Sequence, residues 1–131
     1  MKDKSIKKLS GIIEKSYLIT IVKKPLLDNR NLSRKIEAGD KYTFGVELSE
    51  DKKTVIPYLD IKKIDKNQIK FSSYISYIQF GNNKILYLEP LEVNNEYYSY
   101  EYSLPIEEMF NDKENDVEIK LYILSLSLEL K

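Results

Sequence analysis

The octapeptide Lys41-Tyr42-Thr43-Phe44-Gly45-Val46-Glu47-Leu48 decides the fold class. Tyr42, Phe44, Val46 and Leu48 fall on one side and Lys41, Thr43, Gly45 and Glu47 on the other, the period-two pattern of a strand with one buried face. The polar run Ser49 to Lys53 then reads as a turn, and Val55, Ile56, Tyr58 and Leu59 as a returning strand. Pro57 has no N–H for a ladder, which predicts an edge strand or a bulge there.

Outward from this hairpin the same device recurs. Phe71 to Leu104 reads as a meander with Asn-Asn turns at Asn82-Asn83 and Asn94-Asn95, because Asn tolerates the positive φ that tight turns require. A two-residue first turn sets Phe80 opposite Ile85, Ile78 opposite Tyr87 and Tyr77 opposite Leu88; the second sets Leu91 opposite Tyr98. Pro90 predicts a break in the strand between the turns.

Val117 to Leu130 alternates in two phases, with both faces apolar near Leu121 to Leu124. That predicts a long strand with a bulge or bend near residues 123 and 124, able to serve two sheets and offering an edge to a second copy of the chain. Tyr17 to Val22 reads as a strand buried on both faces. Residues 3–14 fit a short amphipathic helix or a further strand, and Lys24 to Arg34 a loop. Pro105 to Phe110 reads as a short helix, with Ser103 as its cap and Glu107 and Glu108 in its first turn.

Together these segments give a single all-β domain over residues 1–131: an antiparallel sandwich or partly open barrel of about seven to eight strands, with a short helix near 105–110. Composition agrees. One Ala against 16 Ile and 11 Tyr favours the pleated sheet over the helix. The 19 Lys, 9 Asn and only two Arg match AT-rich coding, as in many bacteria and phages.

The chain has no Cys and no His, which excludes disulfides, thiolate or imidazole metal sites and the commonest nucleophiles and bases. No Gly-rich phosphate loop or nucleophile elbow is present. Asp112, Glu114, Asp116 and Glu118 alternate like calcium ligands, but Val117 and Ile123 stand where that loop needs Gly and Glu. The expectation is a non-enzymatic protein without a cofactor or metal; the alternative is a carboxylate-dependent enzyme whose site only the fold would bring together. With no signal segment or long apolar run, the expected location is cytoplasmic, without a membrane anchor.

Net charge is zero but unevenly laid out: residues 1–66 carry 16 basic and 10 acidic side chains, and residues 67–131 carry 5 and 11. Two binding readings follow. In the first, a partner protein meets the Tyr/Glu-rich stretch Glu96, Tyr97, Tyr98, Tyr100, Glu101 and Tyr102, as an inhibitor, immunity-type factor or accessory subunit would. In the second, Lys7, Lys8, Lys23, Lys24, Arg30, Arg34 and Lys35 contact nucleic-acid phosphates. Lys in place of Arg and a pI near 6.4 weigh against the second. An alternative inward reading of the meander has Tyr98, Tyr100, Tyr102 and Leu104 filling the core.

Overall fold

The computed structural model describes residues 6–36, 41–62, 70–81, 83–91, 96–110 and 115–130. In chain order they form β1 (Ile6–Val22), α1 (Lys23–Asn29), β2 (Asn31–Lys35), β3 (Tyr42–Leu48), β4 (Thr54–Lys62), β5 (Lys70–Phe80), β6 (Lys84–Tyr87), β7 (Glu89–Pro90), β8 (Tyr97–Glu101), β9 (Leu104–Pro105), α2 (Ile106–Met109) and β10 (Asp116–Leu130). The fold is all-β and sandwich-like. A four-stranded antiparallel sheet has the order β1-β10-β5-β6, and a six-stranded one the order β2-β3-β4-β8-β7, with β9 also on β4. There are more strands than expected, because β2 lies in the stretch read as a loop and β7 and β9 are two residues each.

The inward faces follow the alternation. Ile19 and Ile21 of β1, Ile78 and Phe80 of β5 and Val117, Ile119, Leu121 and Ile123 of β10 face Tyr42, Phe44, Val46 and Leu48 of β3 and Val55, Leu59 and Ile61 of β4 in one buried cluster. Leu26 of α1 and Met109 and Phe110 at the end of α2 join it. Each such side chain contributes about 1.5–3 kcal/mol relative to exposure.

Several expectations are corrected. Lys24 to Arg34 is not a loop: α1 tolerates Pro25 in its first turn, where the missing N–H has no helical acceptor, and Leu26 anchors it at zero exposure. From Ile6 onward the N-terminal segment is strand rather than helix, while residues 1–5 lie outside those described. Tyr17 to Val22 buries one face only, since Leu18 and Val22 are exposed. α2 sits where expected, but Pro105, not Ser103, occupies its N-cap, without a side-chain cap bond.

β4 is an interior strand despite Pro57. The Pro57 carbonyl accepts from the Tyr102 N–H at 3.1 Å, so the side of Pro57 that lacks a donor faces the interruption between β8 and β9. The β3–β4 ladder loses no bond there.

The first hairpin is shifted by one residue: Phe80 pairs with Lys84, Ile78 with Leu86 and Tyr77 with Tyr87. Gly81 and Asn83 both take positive φ, 58° and 63°, so the loop holds three residues rather than two. Asn82, Asn94 and Asn95 lie outside the described residues. β7 and β8 pair Pro90 with Tyr100, and the Leu91 N–H meets the Ser99 carbonyl, again one residue from the expected register.

The expected single meander is divided between the sheets. β5 and β6 belong to the four-stranded one, and the chain crosses at buried Leu88 into β7 of the other. β10 makes no switch at residues 123 and 124. It pairs in unbroken register with β5 from Ile119 to Glu129, and the irregularities lie in β1, between Ile6 and Lys8 and between Leu9 and Ile12. Held between β1 and β5, β10 has no free edge to offer. The free edges of its sheet are β1 and β6.

Candidate functional site: the outward face of the four-stranded sheet

Because β1, β10, β5 and β6 alternate, the residues between the core positions form a second face. Register sets Ser16, Tyr122, Tyr77 and Tyr87 side by side across the four strands, with Leu18, Lys120, Gln79 and Ile85 in the next row and Glu14, Leu124 and Ile75 on the other side. Leu18 is 62% exposed, Val22 41%, Ile75 55%, Ile85 48% and Tyr87 61%, so five of the six exposed large hydrophobics named among the described residues lie on this one face. Four strands at about 4.8 Å spacing and a few residues of rise put the patch on the order of 200 Å² in projection.

The tyrosines are ordered against each other. The rings of Tyr77 and Tyr122 stack with centres 4.6 Å apart and planes 9° from parallel, and Tyr87 tilts against Tyr77 at 5.4 Å. A centroid distance equal to the strand spacing means that both stacked rings stand up from the sheet. They present edges and hydroxyls rather than flat faces. Gln79 ties the row to the hairpin: its Oε1 accepts a long, 3.5 Å bond from the Tyr122 hydroxyl, and its Nε2 donates to Asn83 Oδ1 at 3.1 Å. Desolvation, then the charge of Glu14 and the neighbouring phenols, raise the pKa of Tyr77.

A hollow of about 520 Å³ bordered by Leu18, Gln79, Asn83, Glu118 and Lys120 adjoins the row. Asp116 and Glu118 both line it, but both are exposed, not held in a closed apolar pocket of the kind that general acid–base work exploits. No group of three or more potential metal ligands occurs among the described residues; Asp112 and Glu114 lie outside them.

The residues singled out in the sequence lie elsewhere. Tyr100 is buried, and Tyr98 and Tyr102 are half-buried against the core, as in the inward reading of the meander. Tyr98 meets Tyr74 of the opposite sheet at 5.5 Å, so it helps join the sheets. Burial, then the nearby phenols of Tyr74 and Tyr98, raise the pKa of Tyr100. Glu96 is exposed, and Tyr97 and Glu101 are half-buried on the outward side of β8, with Glu101 directly opposite Glu89.

Lys23, Lys24, Arg30, Arg34 and Lys35 gather along α1 and β2, and the guanidinium of Arg34 reaches the Thr20 carbonyl of β1 at 3.3 Å. Lys7 and Lys8 belong to the far end of β1, roughly 50 Å away at about 3.3 Å per residue. The basic set is therefore not one patch. Strand order carries the charge polarity of the sequence into one sheet only: in the six-stranded sheet β2 and β3 lie toward one edge and β8 and β7 toward the other, whereas in the four-stranded sheet the last strand, β10, lies beside β1.

In the sequence, apolar residues in both phases of Val117 to Leu130 read as a bend, which hides this outward face. No helix among the described residues is long and apolar enough to cross a membrane. No protein-family model matches the chain, and no curated protein does. Among solved structures it is similar to envelope protein VP37 from White Spot Syndrome Virus, at 10% identity over 89% of this chain and 98% of that one. The TM-score is 0.38, too low for the likeness to carry an argument.

Proposed function

We infer that this protein is a non-enzymatic binding module that contacts another protein through the outward face of its four-stranded sheet. The observation that carries this reading is the row Tyr122, Tyr77 and Tyr87 flanked by Leu18, Ile75 and Ile85. Tyr is enriched at interface centres because it supplies rigid apolar area with a polar tip, and here Glu14, Glu118 and Lys120 form a charged surround. A patch of about 200 Å² is small beside the ~800 Å² each partner buries in a standard interface, so it serves as the dry centre of a larger contact.

Ring orientation separates this from nucleic-acid binding. Base stacking needs an open aromatic face, whereas Tyr77 and Tyr122 spend their facing surfaces on each other. The test is affinity capture with the intact chain beside its Tyr87→Lys variant. Loss of a retained protein in the variant supports the reading. Equal retention, or a shift of labelled oligonucleotide that weakens steeply with salt, refutes it.

A further inference from the structure

We propose that the free edge of β1 pairs with the β1 of a second copy, antiparallel and centred on Thr20. Main-chain geometry fixes which groups are on offer. The Lys23 N–H donates to the Asn115 carbonyl at 2.7 Å, one step beyond the pair Val22 and Asp116, so odd-numbered residues here turn their N–H and C=O toward β10. Leu18, Thr20 and Val22 turn theirs outward. Arg34 confirms the direction, since its guanidinium meets the Thr20 carbonyl from the outer side. All three residues are exposed, Leu18 at 62% and Val22 at 41%.

The occupant follows from the side chains. Leu18-Ile19-Thr20-Ile21-Val22 has the same chemistry read in either direction about Thr20. Antiparallel pairing with itself sets Thr20 against Thr20 and Leu18 against Val22 on the outward face, with Ile19 against Ile21 on the core side. Threonine pairs and paired branched apolar residues are favourable cross-strand neighbours. Every outward-turned group of the segment then meets another, and the pairing ends where α1 begins at Lys23. A groove of about 260 Å³, bordered by Thr20, Val22, Pro25, Leu32 and Arg34, lies beside the edge and gives an incoming strand room. Two four-stranded sheets would become one of eight, joined by a two-fold axis.

Arg34 caps this edge in the single chain. It is exposed and its bond to Thr20 is long, so an incoming N–H displaces it at little cost.

Light scattering over a wide concentration series tests the pairing. The mass should rise from 15.4 kDa toward twice that value. Thr20→Pro removes only an outward N–H, leaves the β1–β10 ladder whole and should hold the chain monomeric; Thr20→Lys is the second variant should the first fail to fold. Arg34→Ala should shift the midpoint to lower concentration. Thr20→Cys, the sole thiol in the chain, should cross-link two copies on oxidation while Ile75→Cys should not. A native chain that stays monomeric throughout, or a dimer untouched by both Thr20 variants, overturns the proposal. Tyr87→Lys leaves this edge intact, so a dimer that survives it separates this pairing from the contact on the sheet face.

Discussion

Tyr77 lies flat against Tyr122, ring on ring across two neighbouring strands at 4.6 Å, on the side of the sheet that faces away from the core. The stack has a measurable consequence. Desolvation and the Glu14 carboxylate raise the Tyr77 pKa, and burial raises that of Tyr100. An unfolded phenol ionises near pH 10, so above that pH the unfolded state holds fewer protons than the folded one and stability falls as pH rises. Below it, these groups contribute no pH dependence. Absorbance titration should show late-ionising phenols, with one such component lost in Tyr77→Phe and another in Tyr100→Phe.

On the opposite outer face, Tyr58 lies over Gly45, its cross-strand partner, and its hydroxyl donates to Asn31 Oδ1 at 3.1 Å. A Cβ at position 45 would collide with the Tyr58 ring and the Leu32 carbonyl. Gly45→Ala should therefore cost about 1–3 kcal/mol in urea unfolding. Much of that cost should vanish in a Tyr58→Ala background, the coupling expected of two residues that share one space.

Ser76 is 1% exposed, turned toward the core, and its hydroxyl has no hydrogen-bond partner among the described residues. An unsatisfied buried hydroxyl costs roughly 1–3 kcal/mol. Ser76→Ala should raise the denaturation midpoint by the equivalent of about 1 kcal/mol without changing the slope.

Glu89 and Glu101 stand directly opposite each other on β7 and β8. Like charges so placed are destabilising, so Glu89→Lys should gain about 0.2–1 kcal/mol, and the gain should shrink in high salt. Thermal melts of both forms at two ionic strengths would measure it.

Much of the fold is legible in the residues. The alternation of Tyr42 to Leu48 appears as β3 with all four apolar positions buried, and the short helix after Pro105 is present as α2. What local pattern does not carry is the order of strands: nothing in Val117 to Leu130 tells that it inserts between the first strand and the fifth. Turn register escaped for a different reason, since Gly81 and Asn83 both supply positive φ and a three-residue loop suits them as well as a two-residue one. The site was visible only in part. Apolar residues in both phases of β10 were evident, but whether the second phase meets another layer or water depends on what packs beyond it. Likewise Tyr98 and Tyr100 are exposed or buried according to which of their two faces meets the four-stranded sheet.

The outward tyrosine row is the centre of the account, and Tyr87 is its most accessible member at 61% exposure. Tyr87→Lys should change unfolding free energy by no more than about 0.5 kcal/mol, because the side chain leaves the core untouched. The decisive measurement is the affinity of a captured partner for the native chain, for Tyr87→Lys and for Glu96→Lys on the other sheet. The account predicts at least tenfold weaker binding for Tyr87→Lys and little change for Glu96→Lys. Weakening by Glu96→Lys alone, with Tyr87→Lys binding like the native chain, would contradict it.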